Sequence, residues 1–257
     1  MSDIDIFDRR AVALHRTRAA RHLERIRPVL DELAERVLDR LDDTGRQFRR
    51  ALDFGGRGAV APLLAARGLE VISADLAPAQ LAGGGGVAAD PEYLPFGEGC
   101  FDLIVAHLSL HWVNDLPGAL IQLRRALSPE GLFIASLPLL GTLADLRAAL
   151  IEAEDHLAAG ASPRVSPFTT LADAAGLMQR AGFALPIAER EIVHLEYAAP
   201  LDLLRDLRDA GETNALRDRS RRCPPRALFP MALAALADAD GRLRLEWPMG
   251  VITGWGS

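Results

Sequence analysis

The chain has 257 residues, a formal net charge of -6 and 25% charged residues, a composition typical of ordinary globular proteins. All 29 of its basic residues are arginines, because the sequence contains no lysine. This absence excludes enzymes that form a Schiff base through lysine, and nucleotide-binding proteins that hold phosphates with a P-loop lysine. The acidic balance also argues against general nucleic-acid binding.

The two cysteines, Cys100 and Cys223, lie far apart and lack the spacing of metal ligands. The sequence therefore predicts neither a disulfide framework nor a metal site. No apolar run reaches the ~18 residues of a membrane span. The acidic start of the chain resembles neither a signal peptide nor a mitochondrial transit peptide. We therefore expect a cytoplasmic protein without a membrane span.

Residues 1–47 are predicted to form a helical N-terminal segment. Apolar residues recur three or four apart from Leu23 to Leu41, and Pro28 is expected to kink or divide this helix. Residues 9–50 hold 12 arginines against 7 acidic residues. The default interpretation of these arginines is a solvated face, and the alternative is a surface that docks an acidic partner.

Residues 48–257 show short apolar strands that alternate with helices, which predicts βαβ units and a parallel sheet with helices on both faces. Helical insertions are expected at about 142–184 and 200–240. The predicted strands are Ala51–Phe54, Glu70–Ala74, Val87–Ala89, Phe101–Ala106, Leu132–Leu137, Ile187–Tyr197 and Leu243–Thr253. The predicted helices between them include Ala59–Arg67, Pro78–Ala82 and Leu116–Leu127.

A glycine-rich turn, Asp53-Phe54-Gly55-Gly56-Arg57-Gly58, follows the first of these strands. Glycines in this place let the backbone approach a ligand and present helix N-terminal amides to it. Asp75 ends the second strand, where an acidic side chain can accept hydrogen bonds from ribose hydroxyls. Asp90 follows the third strand and could accept a hydrogen bond from an adenine amine. The pattern favours a nucleotide-like ligand, although a tight strand–helix turn without a ligand would also need glycines.

In this order, the features resemble those of the class I S-adenosylmethionine-dependent methyltransferases. The resemblance is closest to the subgroup of NADH dehydrogenase (complex I) assembly factor 5 and its bacterial relatives, and it extends over nearly the whole chain. A malonyl-carrier-protein methyltransferase is a more distant relative. The segments that carry the subgroup resemblance are Ile6–Arg9, Leu108–Pro117, Ser162–Phe168, Asp206–Asn214 and Ile252–Trp255.

The resemblance implies a Rossmann-like, doubly wound α/β fold and S-adenosylmethionine as the cofactor. His111 follows the fourth strand and could act as a general base, or it could only shape the pocket. The cofactor residues implied are Asp53, Gly55, Gly56 and Gly58 at the methionine end, Asp75 at the ribose, Asp90 at the adenine, and Leu108. The substrate residues implied are Trp112, Arg164, Glu212 and Asn214.

The glycine-rich turn departs from the family pattern. Family members have Asp-x-Gly-x-Gly-x-Gly, whereas the turn from Asp53 to Gly58 is one residue shorter. The run Ala82–Gly86 also looks compressed. A one-residue deletion changes the direction of the backbone N–H groups that would bind the methionine part of the cofactor.

Three functions follow as hypotheses. The leading one is a methyltransferase acting on a protein or a carrier-bound acyl substrate, with a complex I subunit among the candidates. The second is a protein-arginine hydroxylase, which is how the mitochondrial assembly factor is described. The third is a non-catalytic assembly chaperone with a degenerate cofactor pocket, which the shortened turn would favour.

Two further clusters bear on these hypotheses. The arginine cluster of Arg217, Arg219, Arg221, Arg222 and Arg226 is a candidate docking surface for an acidic partner. His194 and Glu196 share one face of a predicted strand and could belong to an iron-binding triad. No partner histidine can be assigned to them, so pairing at the surface is the favoured interpretation.

Overall fold

The computed structural model describes residues 5–81, 85–157 and 160–256. They contain one seven-stranded sheet, flanked by helices. Its strands are β1 (Arg50–Phe54), β2 (Glu70–Asp75), β3 (Gly86–Ala88), β4 (Phe101–His107), β5 (Leu127–Pro138), β6 (Ala184–Tyr197) and β7 (Leu243–Trp255). The helices are α1 (Arg9–Ala19), α2 (Leu23–Asp42), α3 (Val60–Ala66), α4 (Leu116–Ala126), α5 (Ala144–Leu157), α6 (Leu171–Arg180), α7 (Leu201–Asp209) and α8 (Leu228–Leu236).

The strand order is β3-β2-β1-β4-β5-β7-β6, which confirms the doubly wound α/β architecture. The first five strands pair in parallel, as predicted, whereas β7 runs antiparallel to both β5 and β6. An antiparallel neighbour needs no crossover helix, so the chain between β6 and β7 is free to form α7 and α8 as an insertion. The order reverses between β1 and β4, where open α/β sheets bind their ligands.

The break in the N-terminal helical segment is not at the predicted residue. The chain leaves helical structure at residues 20–22, while Pro28 lies inside α2. A proline there removes one backbone hydrogen bond. The buried face of α2 outweighs that loss, because packing rather than intrinsic propensity stabilises most protein helices.

The bounds of other predicted helices and strands also differ in the structure. The stretch predicted as a helix from Pro78 is a 3₁₀ turn, Pro78–Leu81, and the predicted last residue, Ala82, lies outside the described residues. The predicted compression of Ala82–Gly86 also falls partly outside them. The strand predicted as Leu132–Leu137 is longer in the structure, where β5 begins at Leu127 and ends at Pro138.

The N-terminal helices belong to the same core as the sheet. The apolar stripe of α2, which includes Leu30 and Leu38, packs with Leu103 and Val105 of β4. A separate cluster joins α5, α7 and α8 to β7 through residues such as Leu150. The insertions are therefore anchored beside the sheet edge that carries the predicted site. Within the described ranges, no helix is both long enough and apolar enough to cross a membrane.

Removing part of the α2 contact should destabilise the whole sheet. Leu38 is completely buried, so Leu38→Ala leaves a cavity and should lower the free energy of unfolding by about 2–5 kcal/mol. Leu14→Ala on the exposed side of α1 is the control and should change it by less than about 0.5 kcal/mol. Urea unfolding followed by circular dichroism measures both, and equal effects would contradict a shared core.

Candidate active site

The glycine-rich turn after β1 is held by contacts within the protein. The Gly55 amide donates to the Ala74 carbonyl (2.8 Å), and the Gly56 amide donates to Asp53 Oδ1 (3.1 Å). Gly55 and Gly58 have positive φ, of 74° and 79°. A Cβ on Gly55 would lie 2.5 Å from Ser109 Cβ. Glycine is thus required for the backbone path and for close packing against the chain after β4.

Arg57 lies within the glycine-rich turn, between Gly56 and Gly58. Its backbone is left-handed, with φ 51°, and its side chain is fully buried. The guanidinium donates from Nη1 to Glu212 Oε1 (2.8 Å) and to the Ala210 carbonyl (2.8 Å). The turn is therefore tied to the chain that follows α7. The sequence marked this loop as unusual but did not predict the partner of Arg57.

Glu212 is the centre of a buried polar cluster. Its Oε2 accepts hydrogen bonds from His111 Nε2 (2.8 Å) and Trp112 Nε1 (2.6 Å), and its Oε1 accepts from Arg57. Burial alone would raise the pKa of Glu212. Its interactions with His111 and Arg57 outweigh that effect and hold this pKa well below the usual range. Glu212 is therefore an ionised acceptor.

This contact shows which ring nitrogen of His111 carries a hydrogen. A carboxylate can only accept, so Nε2 of His111 carries the hydrogen. In the neutral ring, Nδ1 is then the acceptor. The Nδ1 atom is buried and has no hydrogen-bond partner among the described residues. The cluster therefore holds the His111 ring in one orientation and leaves its Nδ1 atom without a hydrogen bond.

Two of the three strand-end carboxylates are paired with arginines of α1. Arg16 Nη1 donates to Asp75 Oδ2 (2.6 Å), with both side chains at most 3% exposed, and Nη2 donates to the Leu108 carbonyl (2.9 Å). Arg9 Nη2 donates to Asp90 Oδ1 (2.6 Å). The solvated face predicted for the opening helix is therefore wrong for Arg9 and Arg16. Their spacing of seven residues, which puts them on one helix face, was the available signal.

A cavity of about 520 Å³ lies between the sheet edge and the helical insertions. It brings together the predicted substrate residues with His111 and Leu108, whereas the glycines, Asp53, Asp75 and Asp90 are outside its wall. Arg164 at this wall pairs with Glu154. Among the predicted site residues, those that line the cavity are Leu108, His111, Trp112, Arg164, Glu212 and Asn214.

His107 and Glu196 make their contacts outside this polar cluster. His107 is buried, bonds Ser136 Oγ through Nδ1 (2.8 Å), and has a pKa lowered to about 3 by desolvation. Glu196 pairs with Arg242 at the surface (2.6 Å). Within the ranges described, no group of three or more His, Cys, Asp or Glu is arranged to hold a metal ion.

Asp53 is the strand-end acid without an arginine partner. Burial raises its pKa from 3.8 to about 7, and the nearby Asp75 charge adds to the shift. Between these two values the unfolded chain has an ionised Asp53 while the folded protein keeps the proton. The contribution of Asp53 to stability therefore falls as the pH rises through this window.

Asp53→Asn should remove this pH dependence. The free energy of unfolding of the variant, minus that of the original protein, should grow by up to about 1.4 kcal/mol per pH unit between about pH 5 and about pH 7. Urea unfolding at a series of pH values measures this difference. The titration of His107 is common to both proteins and cancels. A difference that does not change with pH would contradict a protonated Asp53.

Comparison with known proteins places the site in a family. A family model described as a methyltransferase domain matches residues 52–135. Human mitochondrial arginine-hydroxylase NDUFAF5 is 38% identical over 227 residues, which is 84% of this chain and 66% of the length of that relative. The malonyl-[acyl-carrier protein] O-methyltransferase of Halorhodospira halophila is 33% identical over 96% of this chain and 85% of its own length.

A solved structure has the same fold as this chain. The crystal structure of the YcgJ protein from Bacillus subtilis superimposes with a TM-score of 0.58 at 15% identity, over 86% of this chain and 98% of that one. The chain therefore belongs to the class I S-adenosylmethionine-dependent methyltransferases, in the branch that includes NDUFAF5 and the malonyl-carrier-protein methyltransferases, and S-adenosylmethionine is its cofactor.

Proposed function

We propose that the chain transfers a methyl group from S-adenosylmethionine to a protein-bound or carrier-bound acceptor that enters the cavity beside His111. The observation that carries this proposal is the Nδ1 atom of His111, which is buried, lacks a partner and belongs to a residue of the cavity wall. The glycine-rich turn, the oriented histidine and the cavity meet through Arg57 and Glu212.

The residues at the sheet edge fit the cofactor in kind. Asp75 and Asp90 offer carboxylate oxygens suited to ribose hydroxyls and an adenine amine. In the present conformation these oxygens bind Arg16 and Arg9 instead. Cofactor binding would thus require Arg16 to give up or share Asp75. When bound, S-adenosylmethionine supplies a methyl group activated by its sulfonium charge.

Glu212 and His111 would then prepare the acceptor. Glu212 fixes the ring of His111 through Nε2, which leaves the Nδ1 lone pair to receive a proton. An amine or hydroxyl acceptor loses that proton as its bond to the methyl carbon forms. A carboxylate acceptor has no proton to lose, and for it the cluster would act only by orientation.

The arginine cluster supports an acidic partner as the source of the acceptor. Three of its members pair with Asp5 and Asp8 of the N-terminal segment, which the sequence did not predict. Arg222 and Arg226 are exposed, and neither has an ion pair within the described part of the chain. This stretch joins Asn214 to Phe229, both of which line the cavity. An acidic carrier protein or a respiratory complex I subunit would dock here.

Arginine hydroxylation is the second candidate, because a relative 38% identical over 84% of this chain bears that name. Intact-mass analysis separates the candidates. Acyl-carrier proteins and complex I subunits are isolated from cells with and without this protein. We expect a shift of one methyl group on a carrier or subunit. A shift of one oxygen atom would favour hydroxylation, and no shift on any of them would favour a non-catalytic chaperone.

The role of His111 predicts a selective loss of turnover. His111→Gln should lower kcat for an amine or hydroxyl acceptor by about a hundredfold, because the base is lost. Its affinity for S-adenosylmethionine, measured by calorimetry, should stay within about twofold of the original. His194→Gln, at an exposed strand residue, is the matched control. Unchanged kcat in His111→Gln would show that this histidine only shapes the pocket.

The pairing of Arg16 with Asp75 predicts a stronger response to the cofactor when the arginine is removed. Arg16→Met leaves a buried carboxylate uncompensated and should destabilise the free protein by about 3–5 kcal/mol. Ribose hydroxyls would satisfy that carboxylate, so S-adenosylmethionine should raise Tm more in the variant than in the original protein. A smaller rise would show that Arg16 itself holds the cofactor.

A further inference from the structure

We propose that the acceptor carries a long, linear, apolar acyl chain, which lies in the cavity with its oxygen atoms toward the unpartnered Nε–H of Arg57. This inference rests on the proposed function only in taking the cavity as the acceptor site. It goes further in naming the chemistry of the group that fills it.

The body of the cavity is hydrocarbon. Side chains from four elements form it: Val29 and Leu33 of α2, Leu146 and Leu150 of α5, Leu204 of α7, and Leu195 of β6. A volume of about 520 Å³ is within the usual range for a small-molecule site, roughly 300–1,000 Å³. Each methylene group that this wall removes from water makes the free energy of binding more favourable.

Arg57 and Arg164 at the wall are compensated within the protein, whereas Asp206 and Arg208, which also line it, have no ion pair among the described residues. Arg57 is paired with Glu212, and Arg164 with Glu154. A charged group, such as the side chain of a substrate arginine, would lose its hydration against the hydrocarbon body of the cavity without gaining a partner there. The cavity therefore suits an uncharged chain better than a guanidinium or a short dicarboxylic group.

The wall also holds unsatisfied hydrogen-bond donors. Arg57 Nε, Arg164 Nε and Trp247 Nε1 are buried N–H groups on lining residues, and none has a hydrogen-bond partner among the described residues. Donors without acceptors fit a ligand that supplies oxygen lone pairs. A thioester carbonyl or a carboxylate at the head of an acyl chain has them, whereas an alkyl chain alone does not.

Fatty-acid binding to the intact chain tests this without methyl transfer. Fluorescent cis-parinarate is bound first and then displaced by malonate, octanoate, decanoate or dodecanoate. We expect saturable displacement, with affinity rising about fourfold for each added methylene until the cavity is full. Malonate should not compete at the concentrations used for decanoate.

A variant that fills the cavity locates the binding. Leu204→Trp should weaken dodecanoate binding by at least about tenfold and octanoate binding by less, because the longer chain needs more of the volume. Ile121→Trp, on the exposed face of α4, is the matched control and should bind like the original protein. If Leu204→Trp shows no cooperative thermal transition, Val165→Phe at the same wall replaces it.

Three results would overturn the inference: no saturable binding of any fatty acid, malonate binding as tightly as decanoate, or equal binding by Leu204→Trp and Ile121→Trp. The proposed function fails separately. Fatty-acid binding without any methylated product would contradict methyl transfer and leave the acyl site standing. Methylation of a short-chain carrier substrate without fatty-acid binding would do the reverse.

Discussion

Acidic side chains buried at one edge of the sheet need compensating charges, and arginine supplies most of them. The pairs are Arg16 with Asp75, Arg9 with Asp90, and Arg57 with Glu212. Arginine stays protonated under all ordinary conditions, so a carboxylate that it holds remains charged. These pairs tie α1, the glycine-rich turn and the chain after α7 to the ends of the strands, and the shape of the site follows from them.

Glu212 connects the glycine-rich turn to the histidine of the cavity wall. Its two oxygens hold Arg57 on one side, and His111 and Trp112 on the other. A change in the glycine-rich turn would therefore reach the histidine through a single carboxylate. The Arg57–Glu212 ion pair also lies at the wall of the cavity, whose body is formed by hydrocarbon side chains.

Much of this could be predicted from local patterns. Strand–helix alternation gave the doubly wound sheet, and residues that end parallel strands must share one edge, which located Asp53, Asp75 and Asp90. The partners of those acids could not be predicted. The pairing of Arg16 with Asp75 joins residues 59 apart in sequence. The spacing of Arg9 and Arg16 puts both on one face of α1, but it does not show which carboxylates they pair with.

The most direct measurement is a crystal structure with S-adenosylhomocysteine, which tests whether the α1 arginines give way to the adenosine group. We expect the ribose hydroxyls within hydrogen-bond distance of Asp75, with the Arg16 guanidinium withdrawn from the Asp75 oxygen that it now binds. Nucleoside bound elsewhere, with the Arg16–Asp75 pair intact, would contradict the assignment of this edge as the cofactor site.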